Sequence, residues 1–180
     1  LGDVYKRQAD DITFGVAPAT MVFAELSVMD YPAPLEPLRD ILPYFAYIMA
    51  AFAALRLAKF NLDTRQTTSF IGLPTPANAL FWGSLIVGAN DIIEYSPYCV
   101  FAIMAMVLVS SYIQVAELPM FALKFKHWGW KGNEIKYIFI ATCVPLLIIF
   151  KLSAFAVIIA WYVILSVYVN ITNKEKDNNV

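Results

Sequence analysis

The sequence predicts an all-α fold, a polytopic membrane helical bundle with about six transmembrane helices, and three observations predict it. Of 180 residues, 60% are apolar and 15% charged, whereas soluble domains run at about 45–50% and about 25%. The apolar residues gather in stretches near the roughly 17–25 residues that cross a hydrocarbon core of about 30 Å. The basic residues fall almost entirely at alternate ends of those stretches, the pattern of the positive-inside rule. A net charge of −1, from 13 Lys and Arg against 14 Asp and Glu, leaves no basic surface and excludes a nucleic-acid partner. The two cysteines, Cys99 and Cys143, each sit in an apolar run and read as small buried hydrophobes rather than a disulfide.

The first stretch covers about 10–28 and opens on Asp10 and Asp11. A link with Pro32, Pro34 and Pro37 leads to the second, about 41–60, where Ala46, Ala50, Ala54 and Ala58 form an i,i+4 stripe for close helix approach. The polar segment NLDTRQTTS precedes the third stretch, about 75–90, which follows Gly72-Leu73-Pro74-Thr75-Pro76. The fourth runs over about 98–118, the fifth over about 135–150 and the sixth over about 152–170, before a polar tail at 173–180. Gly15 with Ala19, Ala79 with Gly83, and Ser84 with Gly88 repeat the small-xxx-small spacing. Trp82 and Trp161 read as packing or interfacial aromatics.

Orientation follows from charge. With the start of the first stretch in the cytoplasm, that side carries Arg56, Lys59, Arg65, Lys124, Lys126, Lys131, Lys136, Lys174 and Lys176, against Arg39 and Lys151 opposite. Charge at the lip of a span is a functional hypothesis by default. Asp10 and Asp11 are either a solvated helix start or a metal ligand and base; Arg56 and Lys59, three apart on one helical face, either snorkel or bind an anion. The lysines around His127, Trp128 and Trp130 suit an anionic leaflet, and Glu117 is an interfacial or a site residue. A carboxylate beside a cationic pair at one depth suits phosphate chemistry.

At ADDITFGVAPA (9–19), RLAKFN (56–61), FIGLPTPANALFWG (70–83) and AELPMFALKFK (116–126) the chain resembles the CDP-alcohol phosphatidyltransferase family, in its bacterial phosphatidylserine synthase branch. The family signature D-x-x-D-G-x-x-A-R, then G-x-x-x-D-x-x-x-D, is matched only by its last aspartate, at Asp10. Lys6 stands where the preceding aspartate belongs. On this resemblance residues 1–8 are a non-native N-terminal segment and 9–172 a partial catalytic membrane domain, about eight spans being expected in a complete protein. The resemblance implies transfer of a phosphatidyl group from CDP-diacylglycerol to L-serine, in a homodimer among membrane lipids of the bacterial cytoplasmic membrane. It implies Asp10 as base and ligand of Mg2+ or Mn2+, with Arg56, Lys59 and Asn61 binding substrate, and an inactive chain because the other metal-binding aspartates are missing. A sibling phosphatidyltransferase with another alcohol acceptor, or a small non-enzymatic transporter, are the alternatives.

Overall fold

A computed structural model describes residues 2–62, 70–89, 96–121, 129–130 and 133–178. Seven α-helices carry the described chain: α1 (Gly2–Asp11), α2 (Ala17–Val28), α3 (Ile48–Leu62), α4 (Thr75–Gly88), α5 (Cys99–Val115), α6 (Glu134–Phe150) and α7 (Ala154–Asn178). A π-helical turn, Ile12–Val16, joins α1 to α2, and a 3-10 turn, Leu42–Tyr47, leads into α3. The π turn has a local cause. Pro18 has no N–H to donate and its ring would clash with a carbonyl four residues back, and the widened turn, with the Ala17 N–H on the Ile12 carbonyl, accommodates it.

The fold is the expected all-α membrane bundle. By length and apolar composition three stretches are able to cross a membrane: Tyr5–Val28, Leu42–Phe60 and Glu134–Thr172. The expected count of about six is not reached on that measure, because α4 and α5 have 14 and 17 residues and the last stretch runs unbroken for 39. That last stretch nonetheless folds back on itself. Lys151 turns the chain with φ 47°, the Trp161 indole N–H reaches Thr142 Oγ1 at 3.1 Å, and the Phe139 and Tyr162 rings lie 5.8 Å apart. Residues on either side of Lys151 therefore meet as antiparallel arms. Their outward faces carry bare apolar side chains such as Ile148, Ile149 and Leu152, which lipid covers at lower cost than water.

The core lies where α2, α3, α4 and α5 meet, around Val22, Leu26, Met49, Trp82, Val100 and Val107. The packed face runs from Ala46 in the 3-10 turn through Met49, Ala53 and Arg56 of α3, whereas Ala54 and Ala58 are exposed, so the predicted alanine stripe is corrected. With 3.6 residues per turn, each i,i+4 step drifts about 40° round the axis, and only alternating steps of three and four stay on one face. Gly15 does serve close approach: a Cβ there would lie 2.9 Å from Ala53 Cβ and 2.8 Å from Asp11 Oδ1. Trp82 is a core residue whose indole N–H donates to Ser110 Oγ at 3.1 Å. Among the described residues neither Cys99 nor Cys143 is in a disulfide, and both are only partly buried, so their reading as buried hydrophobes holds in part.

Chain direction places the ends. The start of α1, the end of α3, the start of α4 and the end of α5 share one end of the bundle. A two-residue antiparallel ladder there pairs β1 (Phe70–Ile71) with β2 (Pro119–Met120), and Asn170 Nδ2 of α7 donates to the Pro119 carbonyl at 2.7 Å. The turn at Lys151 and the 29–44 link share the other end. There Ser84 Oγ donates to the Leu152 carbonyl at 2.6 Å, and Arg39 pairs with Glu36 at 3.3 Å. Arg56, Lys59 and Lys136 thus lie at the first end, Arg39 and Lys151 at the second. Arg65, Lys124, Lys126, His127, Trp128 and Lys131 lie outside the described residues.

Candidate functional site

At the first end a cavity of about 390 Å³ opens between α1, α3 and the start of α4, walled by Lys6, Arg7, Asp10, Phe14, Arg56, Leu57, Phe60, Pro74, Thr75 and Pro76. Each wall has a reason to be there. The α1 helix runs unbroken through Asp10 and Asp11, so Asp10 lies one helical turn before Phe14 on the same face. In α3, Arg56 continues the packed face of Met49 and Ala53, which draws its stem into the bundle and leaves it 7% exposed. Pro74 ends the extended approach from Gly72, and Thr75-Pro76 begins α4, where proline suits the first turn.

The Gly72 corner holds α4 against α5. Gly72 has φ +72°, its N–H donates to the Leu118 carbonyl at 2.8 Å, and the Leu73 N–H donates to the Ile113 carbonyl at 3.1 Å. A Cβ on Gly72 would lie 2.5 Å from the Gln114 carbonyl oxygen, so this corner admits no side chain.

Arg56 shares the wall with the carboxylate of Asp10, and Lys6 and Arg7, also in the wall, belong to the segment that the resemblance marks as non-native. The N-terminus of α4 adds its partial positive charge and the amide groups of its first turn. Among the described residues Arg56 Nε and Nη2 are buried without a hydrogen-bond partner, and so is Asp11 Oδ1. A guanidinium in the wall of a cavity can pair with an anion bound there.

Of the residues singled out in the sequence, the structure brings Asp10 and Arg56 together in one cavity. Lys59 is not among its walls; its Nζ donates to the Val115 carbonyl at 3.1 Å and so caps α5. Asn61 belongs to the last turn of α3, and its side chain lies outside the described residues. Glu117 is exposed just past α5, at the same end. Among the described residues no three His, Cys, Asp or Glu side chains gather as a metal site. Among the described residues Asp10 is the one carboxylate in the wall, which does not fit a two-ion centre, since that needs several anionic oxygens on each ion.

Sequence reading passed over the buried polar residues where α4 meets α5. Asn78 on α4 and Ser111 and Gln114 on α5 are each 1% exposed, and among the described residues Asn78 Oδ1, Ser111 Oγ and both polar atoms of Gln114 have no hydrogen-bond partner. Their signal was legible: Ser110, Ser111 and Gln114 interrupt an otherwise apolar helix at helical spacing.

Comparison with known proteins gives one partial likeness. A stretch of 68 residues is 37% identical to the CDP-diacylglycerol–serine O-phosphatidyltransferase of Bacillus subtilis (strain 168), covering 38% of this chain and 34% of that relative. The chain thus spans about a third of the length of the curated relative it matches. No protein-family model matches the chain. No solved structure matches it.

Proposed function

We propose that this chain carries the phosphate-gripping side of a CDP-alcohol phosphatidyltransferase of phospholipid biosynthesis. The reaction moves a phosphatidyl group from CDP-diacylglycerol to L-serine, giving phosphatidylserine and CMP. The observation that carries this reading is Asp10 and Arg56, distant in sequence, in the walls of one cavity at one end of an apolar bundle. The partial likeness to a transferase of that name supports the same class of chemistry.

Location agrees with the chemistry. The acyl chains of such a donor stay in hydrocarbon while nucleotide and serine arrive from water, so the reactive phosphorus belongs at the membrane lip. Arg56 and the α4 N-terminus bind the diphosphate oxygens. Asp10 accepts the serine hydroxyl proton as that oxygen attacks the phosphorus bearing diacylglycerol, and the bond to CMP breaks with its electron pair leaving on CMP. The Mg2+ or Mn2+ that the family resemblance calls for finds too few donors here, so the chain by itself binds substrate without turning it over. The cavity faces the cytoplasm of a bacterial inner membrane, in keeping with the basic residues at its end.

The test is binding. In nanodiscs the 180-residue chain is expected to bind CDP-diacylglycerol, with CMP competing and diacylglycerol not. Equal retention of CDP-diacylglycerol and diacylglycerol would refute the reading. Competition by sn-glycerol 3-phosphate or inositol phosphate in preference to L-serine would move it to a sibling with another acceptor.

A further inference from the structure

Two glycines of α4 lie five residues apart and meet opposite surroundings. A Cβ on Gly88 would run into the backbone of Leu152 and Ser153, so Gly88 is where the turn at Lys151 packs onto α4. A Cβ on Gly83 would meet nothing within 4 Å, so the spacing of Ala79 and Gly83 serves no helix approach among the described residues. It opens a groove instead. The groove, of about 410 Å³, follows one face of α4 at steps of three and four, from Pro76 through Ala79, Gly83 and Ser84 to Val87. Thr13 and Phe14 of the π turn flank it toward the first end of the bundle, and Lys151, Leu152 and Phe155 toward the second.

Size and chemistry choose the occupant. From Pro76 to Val87 α4 rises about 16 Å at 1.5 Å per residue, so the groove averages about 25 Å² in section. That is too narrow to take in a helix about 10–12 Å across. It suits one hydrocarbon chain, about 4 Å wide at carbon contact distances, and its length is about one leaflet's share of a hydrocarbon core of about 30 Å. The floor offers no idle hydroxyl at its middle: Ser84 Oγ donates to the Leu152 carbonyl at 2.6 Å and accepts from the Ala156 N–H at 3.1 Å. The charge is at one end. Lys151 is exposed, and among the described residues its ammonium group has no hydrogen-bond or ion-pair partner, whereas Arg39 at the same end is paired with Glu36. Its φ of 47° is a conformation that glycine adopts freely, so the turn itself does not call for a charged side chain there. A chain-sized apolar groove ending on an unpaired cation at the membrane boundary complements an amphiphile with an anionic head.

We propose that this groove binds an anionic phospholipid of the leaflet at the Lys151 end, with one acyl chain laid over Gly83 and the phosphodiester at the Lys151 ammonium group. The methyl end of the chain then meets Phe14 and Pro76, which also wall the cavity of Asp10 and Arg56 from its other side. The site is independent of the transferase reading, whose ligand has its head at the opposite end of the bundle.

The experiment uses the whole chain purified in detergent, with palmitoyl-oleoyl phosphatidylglycerol and the phosphatidylcholine of the same chains as separate probes. Native mass spectrometry reads the first lipid retained. Wild type is expected to retain phosphatidylglycerol about fivefold more tightly, as one lysine at a membrane surface supports. Lys151→Gln should abolish that preference, and Lys151→Arg should keep it. Gly83→Leu should fill the groove and weaken retention of both lipids by about tenfold or more, the effect of losing a few buried methylenes. Its Tm should not fall below that of wild type, because leucine replaces a helical glycine and extends into open space. Equal retention of the two lipids by wild type, a preference that survives Lys151→Gln, or unchanged retention by Gly83→Leu overturns the proposal. A lowered Tm in Gly83→Leu also overturns it, since that face of α4 would then be packed. So does a wild-type dimer that Gly83→Leu dissociates, which would give the groove to a second copy of this chain. Weakened CDP-diacylglycerol binding in Gly83→Leu would give the groove to that lipid's own acyl chain and overturn the proposal while the transferase reading stands.

Discussion

Replacing Arg56 with methionine separates a ligand-binding guanidinium from a structural one, because the two roles predict opposite signs of stability change. Arg56 is 7% exposed, and two of its three nitrogens, Nε and Nη2, are buried without partners. Methionine keeps the unbranched stem that packs beside Ala53 and Met49 and removes the idle donors. An unsatisfied buried polar group costs about 1–3 kcal/mol, so the ligand-free variant should gain roughly that amount and its Tm should rise by a few degrees. A charge-assisted hydrogen bond to a ligand contributes about 1.5–3 kcal/mol, so CDP-diacylglycerol affinity should fall about 10- to 100-fold. Thermal unfolding in detergent, without ligand, reads the first effect; titration of nanodisc-embedded protein reads the second. A variant that melts lower and binds unchanged would refute the reasoning, since Arg56 would then be holding the bundle together through partners of its own.

Gly72→Ala should destabilise the fold by about 2 kcal/mol or more, from a left-handed backbone and a Cβ 2.5 Å from the Gln114 carbonyl oxygen; loss of Tm and of CDP-diacylglycerol binding together would show it. Trp82→Phe removes the indole donor to Ser110 from a fully buried site and should cost about 1–3 kcal/mol in denaturant or thermal unfolding, with Ser110→Ala recovering part of it. The purified chain supplied with Mn2+, CDP-diacylglycerol and L-serine should release no CMP, because Asp10 is the single carboxylate in its cavity; Mn2+-dependent release would contradict the donor count.

Much of the site was legible before the structure. Asp10 and Arg56 stand out because charge at the lip of an apolar stretch is rare, and both wall the cavity. Lys59 stands out for the same reason yet faces α5: three residues along a helix keep two side chains near one face without making them share a neighbour. The alanine stripe misled because an i,i+4 row winds off the contact face, which alternates steps of three and four through Met49 and Ala53. Gln114 and Asn78 were passed over because the polar positions of an apolar helix do not by themselves disclose which neighbour each one faces.

The amino-acid order alone determines that this chain is an apolar helical bundle, where its helices lie, and that its basic residues divide between the two ends. Those properties are local sums over a window, additive along the chain, and packing does not reverse them. Tertiary structure decides which turn of α4 faces which turn of α5, so that Trp82 donates to Ser110, and which distant residues, Asp10 and Arg56, wall one cavity. Helix register is a relation between two segments, set by side chains such as Trp82 and Ser110 filling one another's space, and no single segment contains it.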